Sequence, residues 1–164
     1  IFQYHTPFFM LKRKDKVKNG KGAILTLTER KTNMLIMKKL KHGKNAIQTA
    51  KVAARLLFPY RCNVLTITTD NGSEFAAHKI ITEKLKGVVV YFADSYSSWQ
   101  KGAVENINKL IRQYIPKGAD FKDLSDKHIM NIQKKINNRP RKNNKPPEKL
   151  NFSSPKVEFF NFIS

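Results

Sequence analysis

With 164 residues, 32 Lys and Arg against 12 Asp and Glu, and a formal net charge of +20, the chain is long enough for one domain around a single core. Its 40% hydrophobic content excludes a disordered tail, and its one cysteine, Cys62, excludes an internal disulfide framework and a cysteine-based zinc cluster. No apolar run approaches the roughly 18 residues of a membrane span, and the charge surplus points to a polyanionic partner.

The opening Ile1–Met10 lacks the basic start and small-residue cleavage site of a signal peptide. Ile1 stands where an initiator Met would, which points to a fragment, and residues 1–19 read as a truncated or degenerate segment. Lys12 to Lys18 is too charged for an inner strand and reads as loop or edge. Gly22 to Thr28 is β-rich, and the apolar Met34 to Met37 follows the polar turn Glu29-Arg30-Lys31-Thr32, so a β-hairpin is expected. Ile47, Ala50, Ala54 and Leu57 recur at helical spacing until Pro59. Val64 to Thr69 is a buried-type strand running straight into Asp70-Asn71-Gly72. A helix from Ser73 stops at Gly87, and Val88 to Phe92 forms a further strand. The loop Asp94 to Gln100 leads into a helix from Gly102, with Val104, Ile107, Ile111 and Ile115 on one face. Ile129, Ile132 and Ile136 mark the next helix, and a basic, Pro-rich extension begins at Arg139. This order predicts a three-layer α/β domain over 20–138, with 139–164 as an extension.

Charge is uneven along the chain. Residues 1–69 hold 15 basic and 2 acidic residues, 70–126 hold 8 of each, and 127–164 hold 9 and 2. A neutral, acid-containing middle between two basic flanks suits a nucleic-acid frame around a magnesium site, because hard cations take oxygen ligands. Asp70 lies at the carboxyl end of a predicted strand, where ligands of α/β sheets tend to sit. Glu105, Asn108, Lys109 and Arg112 follow i, i+3, i+4, i+7 and share a stripe, which suits a metal ligand flanked by phosphate contacts. A solvated amphipathic helix explains that spacing equally well.

The residue strings are more specific. Thr66 to Phe75 (Thr-Ile-Thr-Thr-Asp-Asn-Gly-Ser-Glu-Phe), Tyr96 to Gly102, and Glu105-Asn106 resemble the catalytic core of bacterial DDE transposases of the insertion-sequence-thirty family, an integrase-like group. Lys21 to Leu27, Asn138 to Arg141, and Ser154-Pro155 carry the same resemblance, which covers about 20 to 160. It implies a ribonuclease-H-like three-layer fold, with a mixed central sheet flanked by helices. It also implies two Mg²⁺ ions (Mn²⁺ substituting) on two aspartates and a glutamate, DNA element ends and target DNA as substrates, and cleavage followed by strand transfer. Asp70 would be the second acid and Glu105 the third, with Glu74 outside the ligand set or starting a helix. The family's first aspartate falls in a register near Arg13, and the acids before Asp70 are Asp15 and Glu29. Asp15 is the candidate.

Lys101, Asn108, Lys109 and Arg112 are the expected DNA contacts, with Trp99 stacking on bases and Arg139 and Arg141 forming a backbone-binding arm. His42 is read as opening a helix that meets phosphate. The resemblance places the protein in the bacterial cytoplasm, nucleoid-associated, homo-oligomeric when full-length, and off the membrane. Two alternatives stay open: a nuclease of the same fold, and a non-catalytic DNA-binding remnant.

Overall fold

The computed structural model describes residues 23–40, 45–93, 105–116, 119, 121, 124–140 and 153–164, and the backbone alone of 8–15 and 98–104. A five-stranded mixed sheet is built from β1 (Phe8–Asp15), β2 (Ala23–Glu29), β3 (Leu35–Leu40), β4 (Thr66–Thr69) and β5 (Val89–Phe92), in the order β3-β2-β1-β4-β5. β1 runs antiparallel to β2 and parallel to β4, and β4 runs parallel to β5. The helices are α1 (Ala46–Leu57), α2 (Lys79–Leu85), α3 (Ser98–Tyr114), α4 (Asp126–Asn138) and α5 (Pro155–Ile163).

The sheet is covered on both faces. All seven residues of β2 are buried, as an inner strand of a three-layer domain requires. Ala23, Leu25 and Leu27 point to one core with Ala50, Ala53 and Leu57 of α1, Ile81 and Leu85 of α2, and Phe159 of α5. Ile24 points to the other, with Leu35 and Met37 of β3, Ile107 and Ile111 of α3, and Ile129, Ile132 and Ile136 of α4. This period-2 split of one strand between two cores is what makes the expected α/β, ribonuclease-H-like layering. Helix starts follow from sequence: Asn45, Ser125 and Ser154 cap α1, α4 and α5 by accepting from the N–H of Gln48, His128 and Val157.

Three expectations change. Lys12–Asp15 continues the central strand β1 and is not loop, because it pairs with Ala23–Thr26 of β2; β4 pairs only with Phe8–Leu11, so this charged half of the strand is bonded on one side, as at an edge. Ile47 is 51% exposed, and Thr49 and Ala53 join Ala50, Ala54 and Leu57 on the buried face of α1. The boundary at 139 does not end the packed structure, since Phe159 is fully buried with Tyr60 edge-on to it at 5.3 Å, and Asn63 Nδ2 donates to Ile163 O at 3.2 Å. His42 lies outside the described residues. No described helix is long and apolar enough to cross a membrane.

Candidate active site

β4 is short, flanked on both sides, and buried at Ile67, Thr68 and Thr69. The Ala93 N–H donates to Thr69 O at 2.8 Å, which closes the β4–β5 ladder just where Asp70 begins. Asp70 therefore leaves the carboxyl end of an inner strand, with its Oδ1 fully buried. The chain then turns through Asn71 and Gly72 into a single 3₁₀ turn, Ser73–Phe75, anchored by the buried Phe75 ring. A Cβ on Gly72 would lie 2.5 Å from Glu74 Oε2, so the Glu74 carboxylate is folded back over the turn that follows Asp70.

α3 starts at Ser98, four residues before the expected Gly102, so Trp99, Gln100 and Lys101 are helical and Glu105 sits inside the helix, not in its first turn. The preference of a helix N-terminus for acids fades after the first turn and does not account for Glu105. Glu105 is exposed, as are Lys109 and Arg112. Asn108 is not on that solvated stripe: it is 7% exposed, one turn from the buried Ile111 and next to Ile107, which places it at the edge of the apolar face. Its reading as a surface DNA contact gives way to that of an inward-facing amide.

The remaining candidates divide by place. Arg139 is exposed and donates from Nη1 to Gln113 Oε1 at 3.2 Å, linking the ends of α4 and α3. Arg141 lies outside the described residues, and Lys101 and Trp99 are placed by backbone only. Glu29 is excluded as a metal ligand. It is fully buried and accepts from Lys31 N at 2.8 Å, Thr32 N at 2.6 Å and Thr32 Oγ1 at 2.5 Å, a use that closes the β2–β3 turn. Asp15 ends β1 opposite Ala23. Leu11 pairs with Thr69, so the β1 residue level with Asp70 is Lys12, and Asp15 comes three positions later.

The residues agree with a hard divalent cation in kind. Asp70 and Glu105 supply carboxylates, and the Asn108 Oδ1 and Thr69 Oγ1 atoms are buried with no hydrogen-bond partner among the described residues. Among the described residues they fall short of a two-ion, three-carboxylate centre. Among the described residues no group of three His, Cys, Asp or Glu side chains is placed to hold a metal ion.

Sequence reading passed over one polar device. On α4, Asn137 accepts from Leu35 N at 2.9 Å and donates to Leu35 O at 2.8 Å, and Gln133 Oε1 accepts from Met37 N at 2.7 Å. Four residues along a helix advance about 6 Å and two along a strand about 6.6 Å, so amides at i and i+4 meet alternate residues of a sheet edge. The readable sign was two amides four apart beside Ile132 and Ile136.

No protein-family model matches the chain. It is 46% identical over 147 residues to the transposase for insertion sequence element IS4351 of Bacteroides fragilis, covering 90% of this chain and 43% of that one. To the transposase InsI for insertion sequence element IS30A of Escherichia coli (strain K12) it is 34% identical over 134 residues, covering 81% of this chain and 33% of that one. The fold matches the catalytic core domain of BIV integrase with a TM-score of 0.69 at 17% identity, over 95% of each chain, which shows the integrase-core, ribonuclease-H-like architecture. The chain spans less than half the length of these curated relatives. Sequence kinship places it: the chain belongs to the insertion-sequence transposases, with IS30 transposases among its relatives, and its part of that length has an integrase-core fold.

Proposed function

We propose that this chain acts on DNA by divalent-metal-dependent phosphoryl transfer, cutting element ends and joining them to target DNA. The observation that carries the reading is Asp70: an acid with a buried oxygen at the carboxyl end of an inner strand, in a chain whose relatives are transposases. Asp70 and Glu105 are the residues that would hold Mg²⁺ or Mn²⁺, and Asp15 is the candidate acid for a second ion. When bound, such an ion supplies activation of water or a DNA 3′-hydroxyl and stabilisation of the leaving oxygen. The exposed Lys109 and Arg112, following Glu105 by one and two turns, offer cations to phosphates beside it, with Lys101, Trp99, Arg139 and Arg141 extending the contact. We place the full-length protein in the bacterial cytoplasm, acting as a homo-oligomer on DNA.

A second reading, a DNA-binding remnant without catalysis, is favoured by the β1 register. Lys12, level with Asp70, is followed by Arg13 and Lys14, so the strand beside Asp70 carries cations where a third carboxylate would complete the site. The test is incubation of the chain with duplexes bearing the element's inverted-repeat ends, in Mg²⁺ or Mn²⁺. Catalysis predicts nicking that Asp70→Asn and Glu105→Gln each lower by about three orders of magnitude, with DNA affinity unchanged or slightly higher. Joined products identify a transposase, and hydrolysed products alone a nuclease. Salt-sensitive binding without any nicking establishes the remnant.

A further inference from the structure

On the far side of the sheet from β5, β3, α1 and α2 enclose a groove of about 870 Å³. Its lining includes Lys38, Lys39, Lys51, Arg55 and Lys84, with Asp126 as the one carboxylate. Two of the cations are engaged within the fold. Lys38 Nζ lies 2.9 Å from Asp126 Oδ2, and Lys39 Nζ donates to Leu124 O at 2.8 Å, so both help hold α4 on the β3 edge. Lys51, Arg55 and Lys84 are exposed and make no ion pair with any described residue. Lys51 and Arg55 are one turn apart on α1, about 6 Å along its axis, where two like charges repel unless an anion lies between or along them. The core packing of α1 is made by Ala50, Ala53, Ala54 and Leu57 and that of α2 by Ile81 and Leu85, so none of these three exposed cations contributes to it.

We propose that this groove is a second DNA-backbone site, distinct from the Asp70 end of β4. The strand register sets the path. β3 runs parallel to β4 through two antiparallel pairings, so Lys38–Leu40 emerge at the same end of the sheet as Asp70. Three strand spacings, about 14 Å in the sheet plane, separate β3 from β4. The Lys38–Leu40 rim of the groove therefore faces the Asp70 end, while Arg55 and Lys84, in the last turns of α1 and α2, lie toward the strand starts, so a duplex entering at that rim would run along the groove beside the β3 edge. The identity of the polyanion rests on the DNA-acting function proposed above; the groove itself rests on its own charges and position.

The experiment measures equilibrium binding of a duplex oligonucleotide to the whole chain in EDTA across a salt series, so metal-dependent chemistry takes no part. In the triple variant Lys51→Ala, Arg55→Ala, Lys84→Ala, affinity falls about tenfold or more and the slope of log K against log salt shrinks by about two to three. The charge-preserving triple Lys51→Arg, Arg55→Lys, Lys84→Arg keeps the parental slope. Lys127→Ala, Lys134→Ala, Lys156→Ala removes the same charge elsewhere and changes the slope by less than about one. An unchanged slope in the groove triple, or an equal loss in the two alanine triples, overturns the proposal. Asp70→Asn leaves this binding intact, so a failed groove and a failed metal site give different results.

Discussion

Two buried asparagines on neighbouring helices are put to opposite uses. Asn137 of α4 is 3% exposed and spends both atoms of its amide on the Leu35 backbone, sealing the outer edge of β3. Asn108 of α3 is 7% exposed, and its Oδ1 has no partner among the described residues. The same contrast separates the acids: Glu29 is saturated by three donors of its own turn, whereas Asp70 stands at a strand end with a buried oxygen and with Thr69 Oγ1 unpartnered beside it. Burying a polar oxygen costs about 1–3 kcal/mol when nothing satisfies it. A fold bears that cost cheaply only where a ligand repays it, so the saturated Asn137 and Glu29 read as architecture, and the unpartnered Asn108 Oδ1 and Thr69 Oγ1 atoms, the latter beside Asp70, as chemistry.

Mutation separates the two groups most sharply at the edge. Asn137→Leu keeps the volume but strands the N–H and C=O of the fully buried Leu35, and is expected to cost about 2–5 kcal/mol in urea unfolding. A smaller loss, about 1–3 kcal/mol, is expected for Glu29→Gln, whose amide sets a donor against one of the backbone N–H groups of Lys31 and Thr32. Asn108→Leu should fall at the bottom of the series, within about 1 kcal/mol of the parent or slightly more stable, since it removes an unsatisfied oxygen. The same variant should weaken Mn²⁺ binding by calorimetry. A large stability loss at Asn108, or an unaffected β3 edge in the Asn137 variant, would erase the distinction.

Much of the layering was legible because it depends on local periodicity. The alternation in Gly22–Thr28, the helical spacing of Ile129, Ile132 and Ile136, and the stop at Pro59 each act over a few residues. Asp70 was placed at a strand end for the same reason. The second half of β1, Lys12–Asp15, was not legible, since its charge argues against a strand and only its pairing with β2 makes it one. Nor was the start of α3, where Ser98 to Lys101 is polar and aromatic and carries no periodic apolar face. Asn108 looked solvated because i, i+4 spacing from the charged residues and i, i+3 spacing from Ile111 are both available on one helix; packing chose between them.

By itself the sequence determined the distribution of charge, the two-faced strand β2, the hairpin turn and the strand–Asp–Asn–Gly junction, because charge, period and turn chemistry are local properties. The tertiary structure decided which carboxylates are available. It committed Glu29 to its own turn, set Lys12 level with Asp70, and buried Asn108, since hydrogen-bond saturation and strand register are settled between segments distant in the chain. It also gathered Lys51, Arg55 and Lys84 around one groove beside the β3 edge.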